Sequence, residues 1–81
     1  MPIDNNNYFS AKGNVTAALG NSMFRVHLIL ENQDVLCTLS GKIKKNNIRI
    51  LEGDLVTVDV SVHDTKKGRI SYRFNKKNEN N

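Results

Sequence analysis

Cysteine and long apolar runs are nearly absent from this sequence, and each absence excludes a class of protein. A single cysteine, Cys37, leaves no internal disulfide framework and no cysteine-rich zinc site. No apolar run approaches the roughly 20 residues that a membrane helix requires. The N-terminus, Met1 to Asp4, has neither the order of a signal peptide nor the Arg and Ser richness of a transit peptide. We therefore expect a soluble protein in a reducing compartment.

The length of 81 residues limits what the chain can bury. A domain of this size buries roughly 60% of its unfolded surface, so a large buried cofactor or a two-domain cleft is not expected. Asn5 to Asn7 and residues 75–81 contain no apolar side chain. We therefore predict one folded domain at residues 8–74 between flexible tails at residues 1–7 and 75–81.

Groups that could form a catalytic or metal site are few. Cys37 shares the apolar face of a predicted strand with Val35 and Leu39, which indicates a buried side chain rather than a reactive thiolate. His27 and His63 fall on polar strand faces, without a His, Cys or carboxylate at the spacing of a metal site. No glycine-rich phosphate loop is present. The sequence thus predicts a protein that is not an enzyme, with no metal and no cofactor.

Alternating apolar and polar residues predict five short strands. The clearest is residues 55–63, where the valines at 56, 58, 60 and 62 share one face and Asp59 lies on the solvent face. The short polar turn at residues 31–34 predicts that the second and third strands pair as a hairpin. The five strands are placed at residues 13–19, 23–30, 35–39, 55–63 and 69–74.

The alternation stops between Ser40 and Asn47. Ser40 is a suitable N-cap for a short helix that begins near Gly41 or Lys42, with Ile43 as its only clear apolar anchor. Further along, Glu52-Gly53-Asp54 predicts a tight turn with a positive φ at the glycine. The order of elements predicts an all-β protein: a five-stranded closed antiparallel oligonucleotide-binding barrel with a short helical insert between strands 3 and 4. An SH3-like barrel is the alternative, which the insert disfavours.

Positive charge is concentrated in the second half of the chain. Residues 1–41 contain two basic and three acidic residues, whereas residues 42–81 contain ten basic and five acidic ones. This asymmetry is typical of a surface that binds a polyanion, although a solvated basic surface has the same composition. The predicted RNA-binding residues are one group around the insert, a second in the last loop and strand, and one residue on the second strand: Lys42, Lys44, Lys45 and Arg49; Lys66, Lys67, Arg69 and Arg73; and Arg25.

The small number of aromatic rings narrows the expected mode of binding. Proteins that bind single strands stack bases on exposed rings. Among the five rings, those of Phe24, Tyr72 and Phe74 fall on core faces by alternation, which leaves only Tyr8 and Phe9. We therefore expect the domain to bind structured RNA through its shape and phosphates rather than through its base sequence.

Three segments resemble translation initiation factor 1 of bacteria and plastids. They are Asn21 to Val26, the stretch SGKIKKNNIRILEGD at residues 40–54, and Lys67 to Ile70 followed by Arg73. The similarity extends from about Tyr8 to Arg73, with the motifs in the order and spacing of the family. One departure is Asn47, at a position that is commonly aromatic in the family.

The resemblance implies a non-enzymatic, monomeric barrel of the S1 type that occupies the decoding A site of the small ribosomal subunit. There it would contact 16S rRNA and ribosomal protein S12, block premature tRNA entry and assist initiation factors 2 and 3. It also implies a bacterial cytoplasm or, for an organelle-encoded copy, the plastid stroma. In the family's pattern Lys42, Lys44 and Lys45 match the basic loop that enters the minor groove of the decoding-site helix, and Arg49 matches the arginine of the IRI motif. Lys67, Arg69 and Arg73 match the basic end of the last strand.

Two other functions are compatible with the sequence. A general RNA chaperone of the cold-shock type would have an exposed aromatic strand of the K-G-F-G-F pattern, which is absent here. A protein-interaction barrel would use the same basic surface to bind an acidic partner, and that binding would survive RNase treatment.

Overall fold

Short strands and one single-turn helix account for most of the described chain, which is residues 7–74 of a computed structural model. The elements are β1 (Tyr8–Gly20), β2 (Met23–Leu28), β3 (Gln33–Leu39), α1 (Gly41–Lys45), β4 (Leu55–Ser61) and β5 (Asp64–Arg73). Apart from Asn7, the predicted tails lie outside the described residues, so the domain limits stay a prediction. Within residues 7–74, no helix has the length and apolar character needed to cross a membrane.

The strands close into a barrel in the order β1-β2-β3-β5-β4. Four of the neighbouring pairs are antiparallel, and the pair formed by β3 and β5 is parallel. The predicted five-stranded oligonucleotide-binding barrel, the β2–β3 hairpin and the helical insert between β3 and β4 are confirmed. The parallel pair is the one departure from the antiparallel pairing expected from the sequence.

Strand β1 belongs to both halves of the barrel. It pairs with β4 through Tyr8–Asn14 and with β2 from Gly13 onwards, so that Gly13 lies opposite both Leu28 and Val56. A Cβ atom at Gly13 would lie 2.6 Å from Val26 Cγ1 and 2.7 Å from the His27 carbonyl oxygen. The close approach of the strands at this point therefore requires a glycine.

The core is almost entirely aliphatic. Val56, Val58 and Val60 of β4 have no exposed surface, which confirms the inward face predicted from the alternation. Side chains of this kind stabilise the fold by about 1.5–3 kcal/mol each when fully buried. The remaining buried apolar residues come from the other strands, the helix and the segment after it: Ala11, Val15, Val26, Leu28, Val35, Cys37, Ile43, Ile50 and Ile70.

A bulge in β5 reverses the predicted orientation of the residues that follow it. Ile70 pairs with Val58 and Tyr72 with Thr57, so Ser71 is an extra residue without a cross-strand partner. Tyr72 is consequently 53% exposed, and the prediction that it points into the core is wrong. An inserted residue moves every later side chain to the opposite face, which period-two alternation cannot anticipate.

Bulges and strand ends also explain the other misplaced apolar residues. Thr16 and Leu19 are extra residues in the pairing of β1 with β2, and Leu19 is 43% exposed although it shares its sequence parity with Val15. Strand β2 ends at Leu28, two residues earlier than predicted, and Leu30 in the following turn is 91% exposed. Similarly, β4 ends at Ser61 and leaves the side chain of Val62 exposed.

The predicted turn at Glu52-Gly53-Asp54 is present and connects the segment after the helix to β1. Gly53 has a φ of 92°. The buried Asp54 carboxylate accepts a hydrogen bond from the Leu51 N–H at 2.8 Å. Gly53 N–H donates to the Val15 carbonyl at 2.7 Å, and Val15 N–H donates to the Asp54 carbonyl at 2.9 Å. Asp54 is thus a turn residue, as the sequence predicts.

Replacing Gly13 should destabilise the barrel without altering its surface charge. We expect Gly13→Ala to lower the free energy of unfolding by about 1–3 kcal/mol, because the added methyl group overlaps Val26 and a backbone carbonyl. The matched control is Gly41→Ala, where a Cβ meets nothing within 4 Å. Urea denaturation followed by circular dichroism measures both, and equal stabilities for the two variants would contradict the close-approach argument.

Candidate nucleic-acid interface

Helix α1 is attached to the core by one buried side chain and carries three exposed lysines. The Ser40 side chain accepts a hydrogen bond from the Ile43 N–H at 3.2 Å, which confirms the predicted N-cap. Ile43 is buried in the core cluster, while Lys42, Lys44 and Lys45 are exposed. Because the helix has one turn and one inward side chain, its three lysines extend in different directions around the solvent side.

The end of α1 is a Schellman motif centred on Asn47. Ile48 N–H donates to the Ile43 carbonyl and Asn47 N–H to the Lys44 carbonyl, both at 3.1 Å. Asn47 has a φ of 55°, a conformation that asparagine tolerates better than most residues. Ile48 packs against the core cluster that contains Ile43. The chain therefore reverses at Asn47 and returns with the Arg49 side chain exposed.

The second basic group lies on the outer face of the sheet, where β3 and β5 run parallel. Arg25 of β2 and Lys67 of β5 are both paired with Leu36 of β3, one on each side. Arg69 is paired with Thr38, two residues further along the same two strands and on the same face. The parallel pairing of distant segments therefore places Arg25, Lys67 and Arg69 on one continuous patch.

Two hydrogen bonds join β5 to the segment around the helix. Ser40 N–H donates to the Ile70 carbonyl at 2.9 Å, so α1 begins beside Arg69. The Arg73 guanidinium donates through Nη1 to the Arg49 carbonyl, also at 2.9 Å. Because the bulge at Ser71 inverts the strand, Arg73 shares its face with Val56 and not with Arg69, contrary to the alternation. It meets the first basic group through the Arg49 backbone instead.

Lys66 and Arg25 line the same groove. The groove has a volume of about 640 Å³ and is also lined by Leu36 and Gln33. The Gln33 side chain donates to the Thr65 carbonyl at 2.8 Å and so fixes the start of β5 against β3. The nine predicted residues are named here the basic surface, in which the Arg73 side chain meets the others only through the Arg49 backbone: Arg25, Lys42, Lys44, Lys45, Arg49, Lys66, Lys67, Arg69 and Arg73.

The lysines and arginines of the basic surface form no ion pair with a carboxylate of the described residues. Within residues 7–74, no lysine or arginine nitrogen lies within 4.0 Å of a carboxylate oxygen. His27 Nδ1 forms a hydrogen bond with Asp34 Oδ1 at 2.8 Å. Unpaired cations keep their full attraction for phosphate and release counterions when a polyanion binds.

The exposed aromatic rings are not the two that the alternation predicts, because Phe9 is partly buried and packs against the core cluster. Tyr8 is 41% exposed and Tyr72 is 53% exposed, and the Tyr72 ring packs edge-on against Phe74 at a centroid distance of 4.9 Å. Lys12 Nζ lies 5.2 Å from the centre of the Phe74 ring. Lys12 and Tyr72 are outer-face residues that were not predicted from the sequence. Continuing the inward series Ala11, Gly13 and Val15 would have identified Lys12, whereas Tyr72 depends on the bulge.

The side chains considered for catalysis are either buried or in hydrogen-bond contact with a neighbouring side chain. Cys37 has no exposed surface, and burial raises the pKa of its thiol to about 12. His27 contacts Asp34, and the His63 ring Nε2 lies 2.9 Å from Asn7 Oδ1. In the described part of the chain, no three or more His, Cys, Asp or Glu side chains are grouped so that they could hold a metal ion.

A family model described as translation initiation factor 1A / IF-1 matches residues 2–81. The chain belongs to this family. A solved relative is the translation initiation factor 1 of the Wolbachia endosymbiont strain TRS of Brugia malayi, known from a solution structure. The two chains are 37% identical, with a TM-score of 0.71 over 91% of this chain and 86% of the relative. The protein is therefore a translation initiation factor of the bacterial type, and the family resemblance of the sequence is confirmed.

Two further solved structures share the barrel. YjeQ from Thermotoga maritima is 25% identical, with a TM-score of 0.71 over 85% of this chain and 24% of its own. Eukaryotic translation initiation factor 5A from Methanococcus jannaschii is 15% identical, with a TM-score of 0.59 over 83% of this chain and 44% of its own. The latter similarity shows the fold alone.

The Schellman motif predicts a specific pattern of substitutions at Asn47. Asn47→Ala should lower the free energy of unfolding by about 1 kcal/mol, because a left-handed conformation is costly for a residue with a Cβ and no local hydrogen bond. Asn47→Gly should retain or raise the stability of the wild type. Thermal denaturation of both variants tests this expectation, and an Asn47→Gly variant less stable than Asn47→Ala would refute it.

Burial of Cys37 predicts a loss of stability at high pH. The thiol ionises near pH 9 in the unfolded chain but only at about pH 12 in the folded one. Its contribution is therefore complete below pH 9 and falls between pH 9 and 12, by about 1.4 kcal/mol per pH unit. Urea midpoints measured across this range should fall more steeply for the wild type than for Cys37→Ala. Parallel curves would show that the thiol ionises equally in both states.

Proposed function

We propose that the protein binds the decoding A site of the small ribosomal subunit through its basic surface and blocks premature tRNA entry there. The observation that carries this proposal is the set of nine cations on β2, α1, β5 and the segment after α1, which form no ion pair with a carboxylate of residues 7–74. A small domain with such a surface fits a folded RNA helix, where phosphates and shape are the accessible features.

Each part of the basic surface has a distinct role in this proposal. The lysines of α1 extend from a one-turn helix that is narrow enough to enter a groove of the decoding-site helix. Arg25, Lys67 and Arg69 lie on the flatter sheet and contact phosphates on either side of that groove. Contacts with 16S rRNA and ribosomal protein S12, and cooperation with initiation factors 2 and 3, belong to the same proposal.

The cellular setting proposed for the factor is the bacterial cytoplasm or the plastid stroma. Membership in the bacterial-type family supports either setting.

Sedimentation with purified small ribosomal subunits tests the proposal. Binding should saturate near one copy per subunit, weaken as the salt concentration rises and decrease in the presence of an aminoglycoside that occupies the A site. Many copies per subunit without competition would contradict A-site binding and favour a general RNA chaperone. Association with a protein partner that survives RNase treatment would favour the protein-interaction barrel.

Lys44→Gln should weaken subunit binding without changing stability, because the side chain is exposed. Loss of one phosphate contact reduces the slope of log K against log salt by about 1. Asn32→Asp is the matched control, since it changes the net charge by the same amount in the β2–β3 turn, where φ is 52°. Equal losses of affinity in the two variants would assign the effect to net charge rather than to α1.

A further inference from the structure

A pocket on the outer face of the barrel is lined by side chains whose presence phosphate binding alone does not explain. It has a volume of about 210 Å³ and is lined by residues of β1, β3, β4 and β5, among them Tyr8, Asp59, Lys67 and Arg69. Sites for drug-sized ligands typically measure about 300–1,000 Å³, so this pocket suits a group as small as one nucleobase.

Asp59 is the unexpected member of this pocket. Its carboxylate lies within the basic surface, where a negative charge repels phosphate. Asp59 is the cross-strand neighbour of Arg69, yet the described residues contain no ion pair between them. Oδ1 accepts a hydrogen bond from Ser10 Oγ at 3.1 Å, and Oδ2 has no partner among the described residues. The carboxylate therefore retains capacity to accept hydrogen bonds from a ligand.

The other groups around the pocket complement such an acceptor. Tyr8 exposes an aromatic ring on which a base can stack. Arg69 Nε is buried and lacks a hydrogen-bond partner within residues 7–74, which is unusual for a guanidinium nitrogen. Lys67 adds a second cation at the rim. A nucleotide would satisfy both kinds of group, its base meeting Tyr8 and Asp59 and its phosphate meeting the cations.

We propose that this pocket binds one unpaired guanine of the RNA, an inference that rests on the proposed RNA-binding function. A carboxylate accepts hydrogen bonds only, so it selects a base with two adjacent N–H donors. Guanine presents N1–H and the 2-amino group side by side on its Watson–Crick edge. Adenine and cytosine place an acceptor beside the amino group, and uracil flanks its N–H with two carbonyls. The pocket thus reads one base within a surface that otherwise contacts phosphate and shape.

Fluorescence anisotropy with labelled RNA heptamers tests this site directly. The probes are an all-adenosine heptamer and the same heptamer with guanosine or inosine at its centre. Wild-type protein should prefer the guanosine heptamer to the adenosine heptamer by about tenfold, the discrimination of one bidentate base contact. Inosine retains N1–H but lacks the 2-amino group, so its affinity should fall between them. Equal affinities for all three probes would overturn the proposal.

Two pairs of variants separate base recognition from charge and packing. Asp59→Asn should abolish the guanosine preference while affinity for the adenosine heptamer stays equal or rises, because a negative charge is removed. Glu31→Gln makes the same charge change in the β2–β3 turn and should keep the preference. Tyr8→Ala should weaken binding of every heptamer by at least about fivefold through lost stacking, and Tyr8→Phe should not. Retention of the preference in Asp59→Asn would overturn the assignment.

The heptamer and subunit experiments together show which of the two proposals is wrong if one of them fails. Equal heptamer affinities with intact, salt-dependent subunit binding would overturn the guanine pocket alone. A clear guanosine preference without competition at the A site would overturn the proposed function and support the pocket as a base-reading site for another RNA.

Discussion

The barrel depends on the passage of β1 from one neighbour to the other at Gly13. A five-stranded sheet can close only if one strand is long enough, and coiled enough, to pair with both flanking strands. Residues before Gly13 complete the pairing with β4, and residues after it form the hairpin with β2. Because a side chain at this point would collide with Val26 and the His27 carbonyl, the closure and the aliphatic core both depend on its absence.

Closure also determines where the positive charge lies. The parallel pairing of β3 with β5 places Lys67 and Arg69 beside Arg25, although more than forty positions separate Arg25 from Lys67 in the chain. The helix is fixed at both ends, by the Ser40 cap and by the Schellman turn at Asn47, and Ile43 anchors it to the core. The flexible lysine side chains are thereby attached to a backbone of fixed conformation. This reduces the conformational entropy lost when RNA binds.

Local signals in the sequence were sufficient for much of this structure. The alternating valines at 56, 58 and 60 located β4, Ser40 located the start of α1, and the Glu52-Gly53-Asp54 triplet located the turn whose carboxylate caps Leu51. The orientation of Tyr72 and Arg73 could not be obtained in this way, because the unpaired Ser71 inverts the period of the strand. The pocket around Asp59 could not be predicted from the sequence either, because its lining residues come from four strands whose arrangement depends on tertiary pairing.

The late position of β5 in the chain has a consequence for how the molecule forms. Hairpin β2–β3 can fold from adjacent residues, but the ring closes only when β5 pairs with β3 and β4 across long chain separations. Folding dominated by such distant pairings is slow for the size of a domain, on the order of milliseconds to seconds. During synthesis, residues 8–61 leave the ribosome before Lys67 and Arg69 do. The basic surface therefore assembles in the same step that closes the barrel. A partly synthesised chain has neither a closed barrel nor a complete basic surface.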